Sequence, residues 1–325
     1  MAKIKRLGVL TSGGDAPGMN AAIRAVTRAA IYNGLEVYGI HMGYEGMING
    51  DIEKLESGSV SGIIQKGGTI LKTARSARFR TPEGRQQAYD NLQKNGIDCL
   101  VVIGGDGSFT GAGIFSQEFN IPVVGIPGTI DNDLFGTDYT IGYDTALNTV
   151  IDAVDKIRDT ASSHNRIFFI EVMGREAGFV ALESGIATGA EIIMIPEVKN
   201  QLSDLREFLA KRAQTNKSSI IMVAEGDDEG NAFEIANKVQ PEFPQFDIRV
   251  TTLGHVQRGG SPSCYDRVSA SRMGVAAVEA LLDDQKSIMV GLSHGQIVHV
   301  PLSKTVKMHK GVPKQLLDVA HILSI

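Results

Sequence analysis

Two strand-length apolar runs, residues 7–11 and 98–103, lead into Gly-Gly-Asp, the first through Ser12 and the second directly, and then into a stretch whose apolar residues have helical spacing. A chain that repeats apolar strand, glycine loop and helix is confined to βαβ construction, because parallel neighbours need a crossover and a helix makes one compactly. The first copy continues through a helix expected over 20–32, with Ile23, Val26, Ala30 and Ile31 on one face, then a turn at Asn33-Gly34 and a strand over 35–40. The second copy follows a helix expected over 83–94 and runs through a helix ending near Phe119 into a strand over 122–126. From Asp144 to Asp159, Leu147, Val150, Ile151, Val154 and Ile157 recur at three and four, the pattern of an amphipathic helix. Strands are expected again at 166–172, 191–195, 219–224, 247–253, 288–292 and 296–302, and helices at 203–213, 232–239 and 265–282.

Continuous apolar strands between helices imply an α/β fold with mostly parallel sheets covered on both faces. The expectation is two Rossmann-like three-layer α/β/α domains with a ligand cleft between them, at the strand ends. The domains are expected over 1–138 plus 255–305 and over 139–254 plus 306–325, a division for which 325 residues are sufficient.

Composition narrows the partners. Apolar residues make up 42% and charged ones 21%, which excludes a disordered chain. No apolar run approaches the ~20 residues of a spanning helix, so no membrane is expected. The net charge of −5 argues against a general nucleic-acid binder. Cys99 and Cys264 have neither CxxC spacing nor disulfide density, and the apolar stretch after the basic residues 3–6 is only 7–10, so the expected location is the cytoplasm.

Thirty-seven glycines exceed the usual ~7% of residues, and they cluster after apolar runs, where backbone must approach a ligand. Gly104-Gly105-Asp106-Gly107-Ser108 can present N–H groups and a helix N-terminus to phosphate, with Asp106 available to Mg²⁺; alone, it fits a capped turn equally well. No Gly-Lys dipeptide exists, and Thr110 stands at the last glycine position of GxGxxG, so the two familiar nucleotide loops are absent. The loop 11–20 has the same build, which favours one shared phosphate site over two coincidental turns. In the loop 127–133, Thr129, Asp131 and Asp133 could divide proton transfer and orientation, although an Asp-Asn-Asp surface turn is the commoner meaning of such a string. Arg75, Arg78, Arg80, Arg166, Arg175, Arg249 and Arg258 lie in glycine-rich or strand-end contexts suited to anions.

Taken in order, TSGGDAPGMN (11–20), GGT…AR (67–75), GGDGS (104–108), PGTIDND (127–133), GTDYTIG (136–142), EVMGR (171–175), PE (196–197) and GHVQRGGSP (254–262) make the chain resemble the bacterial ATP-dependent 6-phosphofructokinase family almost throughout. The resemblance implies an Mg²⁺-dependent kinase that moves the ATP γ-phosphoryl group to the 1-hydroxyl of fructose 6-phosphate, the committed step of glycolysis. It implies Asp131 as base, with Thr129, Asp133 and Arg175 beside it; Gly14, Arg75, Ser76, Gly105, Asp106, Gly107 and Ser108 for ATP, with Asp106 toward Mg²⁺; and Thr129, Ile130, Asp131, Arg166, Met173, Gly174, Arg175, Glu225, Arg249, His255, Val256, Gln257 and Arg258 for the sugar phosphate. Arg166 and Arg249 would reach in from a neighbouring subunit of a homotetramer. Effectors such as ADP or phosphoenolpyruvate would meet Arg24, Arg28, Arg158, Gly189, Ala190, Glu191 and Lys217, but the effector arginine expected near 55–61 is missing. Pyrophosphate-using relatives carry Asp where Gly107 stands and Lys where Gly128 stands, so ATP is the expected donor. NAD- or lipid-kinase-like proteins share a GGDG loop but leave PGTIDND and GHVQRGGSP unexplained. A silent sugar-phosphate sensor would not require both Asp106 and Asp131.

Overall fold

The computed structural model describes residues 4–162, 166–214 and 218–323. In chain order its elements are β1 (Arg6–Thr11), α1 (Met19–Tyr32), β2 (Glu36–Ile40), α2 (Gly43–Asn49), β3 (Ile52–Leu55), α3 (Pro82–Lys94), β4 (Cys99–Gly104), α4 (Asp106–Phe119), β5 (Val123–Pro127), α5 (Tyr143–Ser162), β6 (Arg166–Val172), α6 (Phe179–Thr188), β7 (Ile192–Met194), α7 (Gln201–Arg212), β8 (Ser219–Ala224), α8 (Ala232–Val239), β9 (Asp247–Thr252), α9 (Cys264–Leu282), β10 (Ile288–Ser293), β11 (Gln296–Pro301), α10 (Leu302–Thr305) and α11 (Lys314–Leu323). They form two compact units, one of Met1–Thr129, Leu134–Thr145 and Arg258–Lys310, the other of Ile130–Asp133, Ala146–Gln257 and Gly311–Ile325.

The larger unit holds a seven-stranded sheet in the order β11-β10-β5-β4-β1-β2-β3. The five inner strands run parallel, and β3 and β11 pair antiparallel at the two edges. Leu10, Leu100 and Val102 pack with Met47, Phe109 and Phe115 on one face. Val9, Val101 and Ile103, alternate along the same strands, are also fully buried, as expected of a sheet covered on both sides. Helices α1 and α9 pack against each other through a close approach, where a Cβ on Gly274 would lie 2.6 Å from that of Ala25.

The smaller unit holds a wholly parallel sheet, β7-β8-β6-β9. Ile167, Phe169, Ile221 and Val223 of this sheet pack with Leu205, Leu209 and Ile235 from α7 and α8. Asn231 and Glu234 close a capping box that starts α8.

Most expected elements are present within a residue or two; the strand expected over 191–195 is the shorter Ile192–Met194. The helices α2, α6, α10 and α11 and the strand β3 are additional. Their sequences hide them for physical reasons. Helix α2 has seven residues and two glycines, too short to show a period, while α6 is buried at seven of its ten positions and carries no polar stripe.

One polar group is deep in the larger unit. Asp266, 1% exposed, accepts hydrogen bonds from the Gly142 N–H and from the Thr145 N–H and hydroxyl, and so fixes the start of α5. Burial pushes its carboxyl up to about 6, against the pull of those hydrogen bonds. A raised carboxyl pKa means the folded state prefers the protonated form. Its contribution to stability is therefore complete below the ordinary value of 3.8 and is lost as pH rises through about 6. The stability difference between the parent and Asp266→Asn, read from urea unfolding, is expected to be larger at pH 4 than at pH 7 by on the order of 3 kcal/mol. A difference that grows with pH contradicts this assignment.

Candidate active site

Three neighbouring parallel strands of the larger unit end at one level. Thr11 of β1 pairs with Ile103 of β4, and Gly104 of β4 pairs with Pro127 of β5, so the loops after all three emerge together at their carboxyl ends. The backbones are stitched there: Ser12 N–H donates to the Ile103 carbonyl at 2.9 Å and Gly128 N–H to the Gly104 carbonyl at 2.9 Å. Only glycine fits at 104, where a Cβ would lie 2.5 Å from the Ser12 carbonyl oxygen. Gly105 lies beside Thr129, with 3.6 Å from its would-be Cβ to that of Thr129.

Helix α4 begins in this cluster with Gly105 as an N-cap that supplies no side-chain bond. Asp106 and Gly107 are exposed on its first turn, Ser108 is buried, and the side of Gly107 opens on space free of protein atoms. Tyr44, whose hydroxyl is pushed far up by burial, donates to the Ser108 carbonyl at 2.5 Å. The unsatisfied end of a helix, loop glycines and a carboxylate thus share one rim, an arrangement that can receive phosphate and a hard cation.

Two further pieces border the same loops. Arg258 lays its guanidinium against the first loop, 2.3 Å from where a Cβ of Gly14 would be, and donates to the Asp15 carbonyl at 3.3 Å. The segment carrying Arg75 and Ser76 is held by Asn20, which donates to the Lys66 and Gly67 carbonyls and accepts from Ile70 N–H. Ser76 donates to Glu45 at 2.5 Å and accepts from Phe79 N–H. That hydroxyl chiefly, with Arg78 adding, holds the Glu45 carboxyl below its ordinary range. Arg75 is exposed and, among the described residues, makes no ion pair.

In the smaller unit Asp131 is 1% exposed, between buried Ile130 and half-buried Asp133. Arg175 brings Nε to 3.3 Å from Asp131 Oδ2 while 58% of its side chain stays exposed. Its backbone is unusual: Gly174 has φ of 148° and Arg175 a left-handed φ of 54°. Glu225 supports that bend by accepting from the N–H groups of Gly174 at 3.3 Å and Arg175 at 2.8 Å. Gln257 accepts from Met173 N–H and donates to the Gly254 carbonyl, and His255 and Val256 project from the same 3-10 turn into solvent. Asp131, Met173, Gly174, Arg175, Glu225, His255, Val256 and Gln257 therefore belong to one unit, grouped past the carboxyl ends of β6, β8 and β9.

Arg166 and Arg249 do not join them. Both stand at the opposite end of that sheet, where Asp247 takes Arg166 Nε at 2.8 Å and Arg249 Nε at 2.9 Å. Arg166 first and Arg249 second hold the Asp247 carboxyl below its ordinary range. A seven-residue strand separates Arg166 from Met173 by about 20 Å.

The residues associated with effectors are divided between units. Arg24 and Arg28 lie on α1, with Arg28 reaching Ser61 at 3.5 Å. In the smaller unit Arg158 donates to the carbonyls of Thr188 and Gly189 at the end of α6, Ala190 is buried, and Glu191 is paired with Arg212 at 3.0 Å. Lys217 lies outside the described residues.

Asn20, Glu45 and Asp247 were not singled out from the sequence as partners of the candidate site. Asn20 closes the TSGGDAPGMN string and is a visible signal; Glu45 and Asp247 meet their partners only through the fold.

Comparison with known proteins places these features. A family model described as phosphofructokinase matches residues 6–281. The chain is 60% identical to ATP-dependent 6-phosphofructokinase 2 of Bacteroides thetaiotaomicron, covering 100% of each, and 54% identical to ATP-dependent 6-phosphofructokinase 1 of Thermus thermophilus, covering 99% of this chain and 100% of the other. Among solved structures, phosphofructokinase from Saccharomyces cerevisiae superposes with a TM-score of 0.87 at 40% identity, over 99% of this chain and 48% of the yeast chain. A pyrophosphate-dependent phosphofructokinase from Marinobacter aquaeolei shares the fold, with a TM-score of 0.85 at 22% identity over 98% of this chain and 91% of the other. With its glycine loops at three adjoining strand ends and its buried aspartate beside Arg175, this chain belongs to the phosphofructokinase family.

Proposed function

We propose that this chain transfers the γ-phosphoryl group of ATP to the 1-hydroxyl of fructose 6-phosphate, giving fructose 1,6-bisphosphate and ADP in the cytoplasm. The observation that carries the reading is the buried Asp131 with the guanidinium of Arg175 against its Oδ2. A carboxylate kept beside a half-exposed cation is equipped to take a hydroxyl proton next to an arriving anionic group.

In this reading the larger unit binds the nucleotide. Gly14, Gly105, Gly107 and Ser108 offer close backbone approach, and Arg75 and Ser76 border them. Among the described residues no group of three His, Cys, Asp or Glu side chains could hold a metal. A single exposed carboxylate, Asp106, fits Mg²⁺ that arrives with the nucleotide, since this ion commonly keeps one or two protein carboxylates plus phosphates. When bound, it neutralises phosphate charge.

The smaller unit binds the sugar phosphate through Met173, Gly174, Arg175, Glu225, His255, Val256 and Gln257. Asp131 accepts the proton of the 1-hydroxyl, the sugar oxygen bonds to the γ-phosphorus, and the bond from that phosphorus to the β,γ-bridging oxygen breaks. Arg175 neutralises charge on the phosphoryl oxygens in flight. Asp133 orients the loop that carries the base. Arg166 and Arg249, about a strand's length from Met173 in their own chain, are assigned to the sugar phosphate of a neighbouring subunit in a homotetramer. ADP or phosphoenolpyruvate is assigned to Arg24, Arg28, Arg158, Gly189, Ala190, Glu191 and Lys217.

The test is a donor and acceptor comparison on the purified protein. ATP with fructose 6-phosphate and Mg²⁺ is expected to support turnover, and pyrophosphate, or NAD or diacylglycerol as acceptor, is not. Turnover with pyrophosphate alone, or none with any pair, defeats the proposal. Glu225→Ala should also lower kcat by about tenfold to a hundredfold, because the two N–H groups that hold Arg175 in its left-handed bend lose the one carboxylate oxygen they share, a charged acceptor worth roughly 1.5–3 kcal/mol. Glu225→Gln, which keeps an acceptor oxygen, should recover most of that loss in steady-state assays. Equal rates for the parent and Glu225→Ala would remove Glu225 from this role.

A further inference from the structure

The loop that carries Arg175 is held from two sides within the smaller unit. At its start, besides the Glu225 carboxylate, Gly226 passes so close that a Cβ there would lie 1.9 Å from the Arg175 carbonyl oxygen. At its end the Gly178 N–H donates to Glu197 Oε1 at 2.9 Å, and a Cβ on Gly178 would lie 2.5 Å from that of Ile195. Between these two points the Ala177 N–H closes the loop onto the Gly174 carbonyl at 3.0 Å. The left-handed turn at Arg175 is thus imposed by two separate segments, 225–227 and 195–198, and it lasts only while those segments keep their spacing.

Gln201 ties the two segments together. It opens α7 and is only 6% exposed. Its side-chain amide treats Ile195 as a neighbouring strand would: Oε1 accepts from the Ile195 N–H at 3.0 Å, and Nε2 donates to the Ile195 carbonyl at 2.8 Å. The same Nε2 donates to the Val198 carbonyl at 2.8 Å and to Asp227 Oδ2 at 3.1 Å. Asp227, also buried, accepts from the Glu229 N–H at 2.8 Å with its other oxygen, and its own N–H donates to the Ala224 carbonyl at 3.1 Å. Burial pushes the Asp227 carboxyl up, against the pull of the Glu229 N–H and the Gln201 amide. A carboxylate this deep needs its donors, so removing one moves the turn rather than leaving the oxygen bare.

We propose that Gln201 is a positioning residue for phosphoryl transfer: through Asp227 on one side and Ile195 on the other, it sets the spacing of the two segments that aim the Arg175 guanidinium at Asp131. Its four hydrogen bonds all go to other groups, so its effect on the reaction is carried by Arg175, and the inference rests on the role proposed for that residue. Base and cation must be in place together, and a misplacement of about 1 Å can cost ~10²-fold in rate. Only part of such a shift reaches Arg175, whose Nε has its own contact with Asp131 Oδ2.

Gln201→Met keeps the length of the side chain and removes the amide. It is expected to lower kcat about tenfold in the parent and by less than about twofold in an Arg175→Ala background, with the KM for ATP unaffected by the change. A role in stability alone would lower kcat by the same factor in both backgrounds, and that result overturns the inference. A readout that needs no activity is amide hydrogen exchange of the peptide 173–178, expected to be about tenfold faster in Gln201→Met while α1 exchanges as in the parent. Unchanged exchange in that loop overturns the inference even if turnover falls. A parent without turnover defeats the proposed reaction instead, and hydrogen exchange then decides by itself whether Gln201 holds the loop. If Gln201→Met does not fold, Asp227→Asn, which keeps an oxygen for the Glu229 N–H but turns an amide toward Gln201, is put through the same comparison with the same expected and contradicting results.

Discussion

Asp131→Asn is expected to lower kcat by about 10²–10⁴ while leaving the KM for fructose 6-phosphate within a few-fold of the parent, the effect of removing a general base without removing a binding contact. The change is nearly isosteric at a side chain 1% exposed, so the loop 130–133 should keep its shape. Arg175, more than half exposed, remains solvated when its partner loses charge, and no strongly buried cation is left unpaired. Steady-state kinetics together with thermal unfolding separates the outcomes. A kcat within about threefold of the parent, in a folded variant, would mean that the hydroxyl proton leaves by another route.

The second large effect concerns the donor. Gly107→Asp is expected to raise the KM for ATP by about a hundredfold or more with little change in stability, since one unfavourable charge contact in a desolvated site costs several kcal/mol. The protein offers no steric objection, because no atom lies within 4 Å of the added Cβ, and an acidic residue in the first turn of α4 suits the helix end. Any loss therefore reports on the ligand. The carboxylate would stand among the N–H groups proposed for the phosphates and repel them. Unaltered ATP kinetics in Gly107→Asp would place the nucleotide elsewhere. Gly104→Ala makes the contrast, for there the added carbon meets the Ser12 carbonyl at 2.5 Å and the fold itself should suffer.

The strands that position the candidate site were legible in the sequence because they are buried on both faces. Runs such as Cys99–Gly104 are buried at every position, leaving a continuous apolar signature ended by glycine. The helices α2 and α6 were not legible, the first for want of length and the second because burial all round erases the polar stripe that defines a period. In the site, glycine loops could be recognised since close backbone approach selects glycine wherever it occurs. Side-chain partners that meet only through the fold could not. Asp247 meets Arg166 across 81 positions and Asp266 meets Gly142 across 124, pairings created by parallel strands and packed helices rather than by local spacing. Arg258 shows the same limit, since GHVQRGGSP grouped it with Gln257, yet its guanidinium rests on the Gly14 loop of the larger unit.

The most direct test of the account is to follow the reaction of ATP and fructose 6-phosphate by phosphorus NMR and locate the new phosphate ester. The account predicts that ADP accumulates in step with a second phosphomonoester on carbon 1, and that Asp131→Asn suppresses both signals together. Release of inorganic phosphate without a new sugar ester, or esterification at any other carbon, would contradict it.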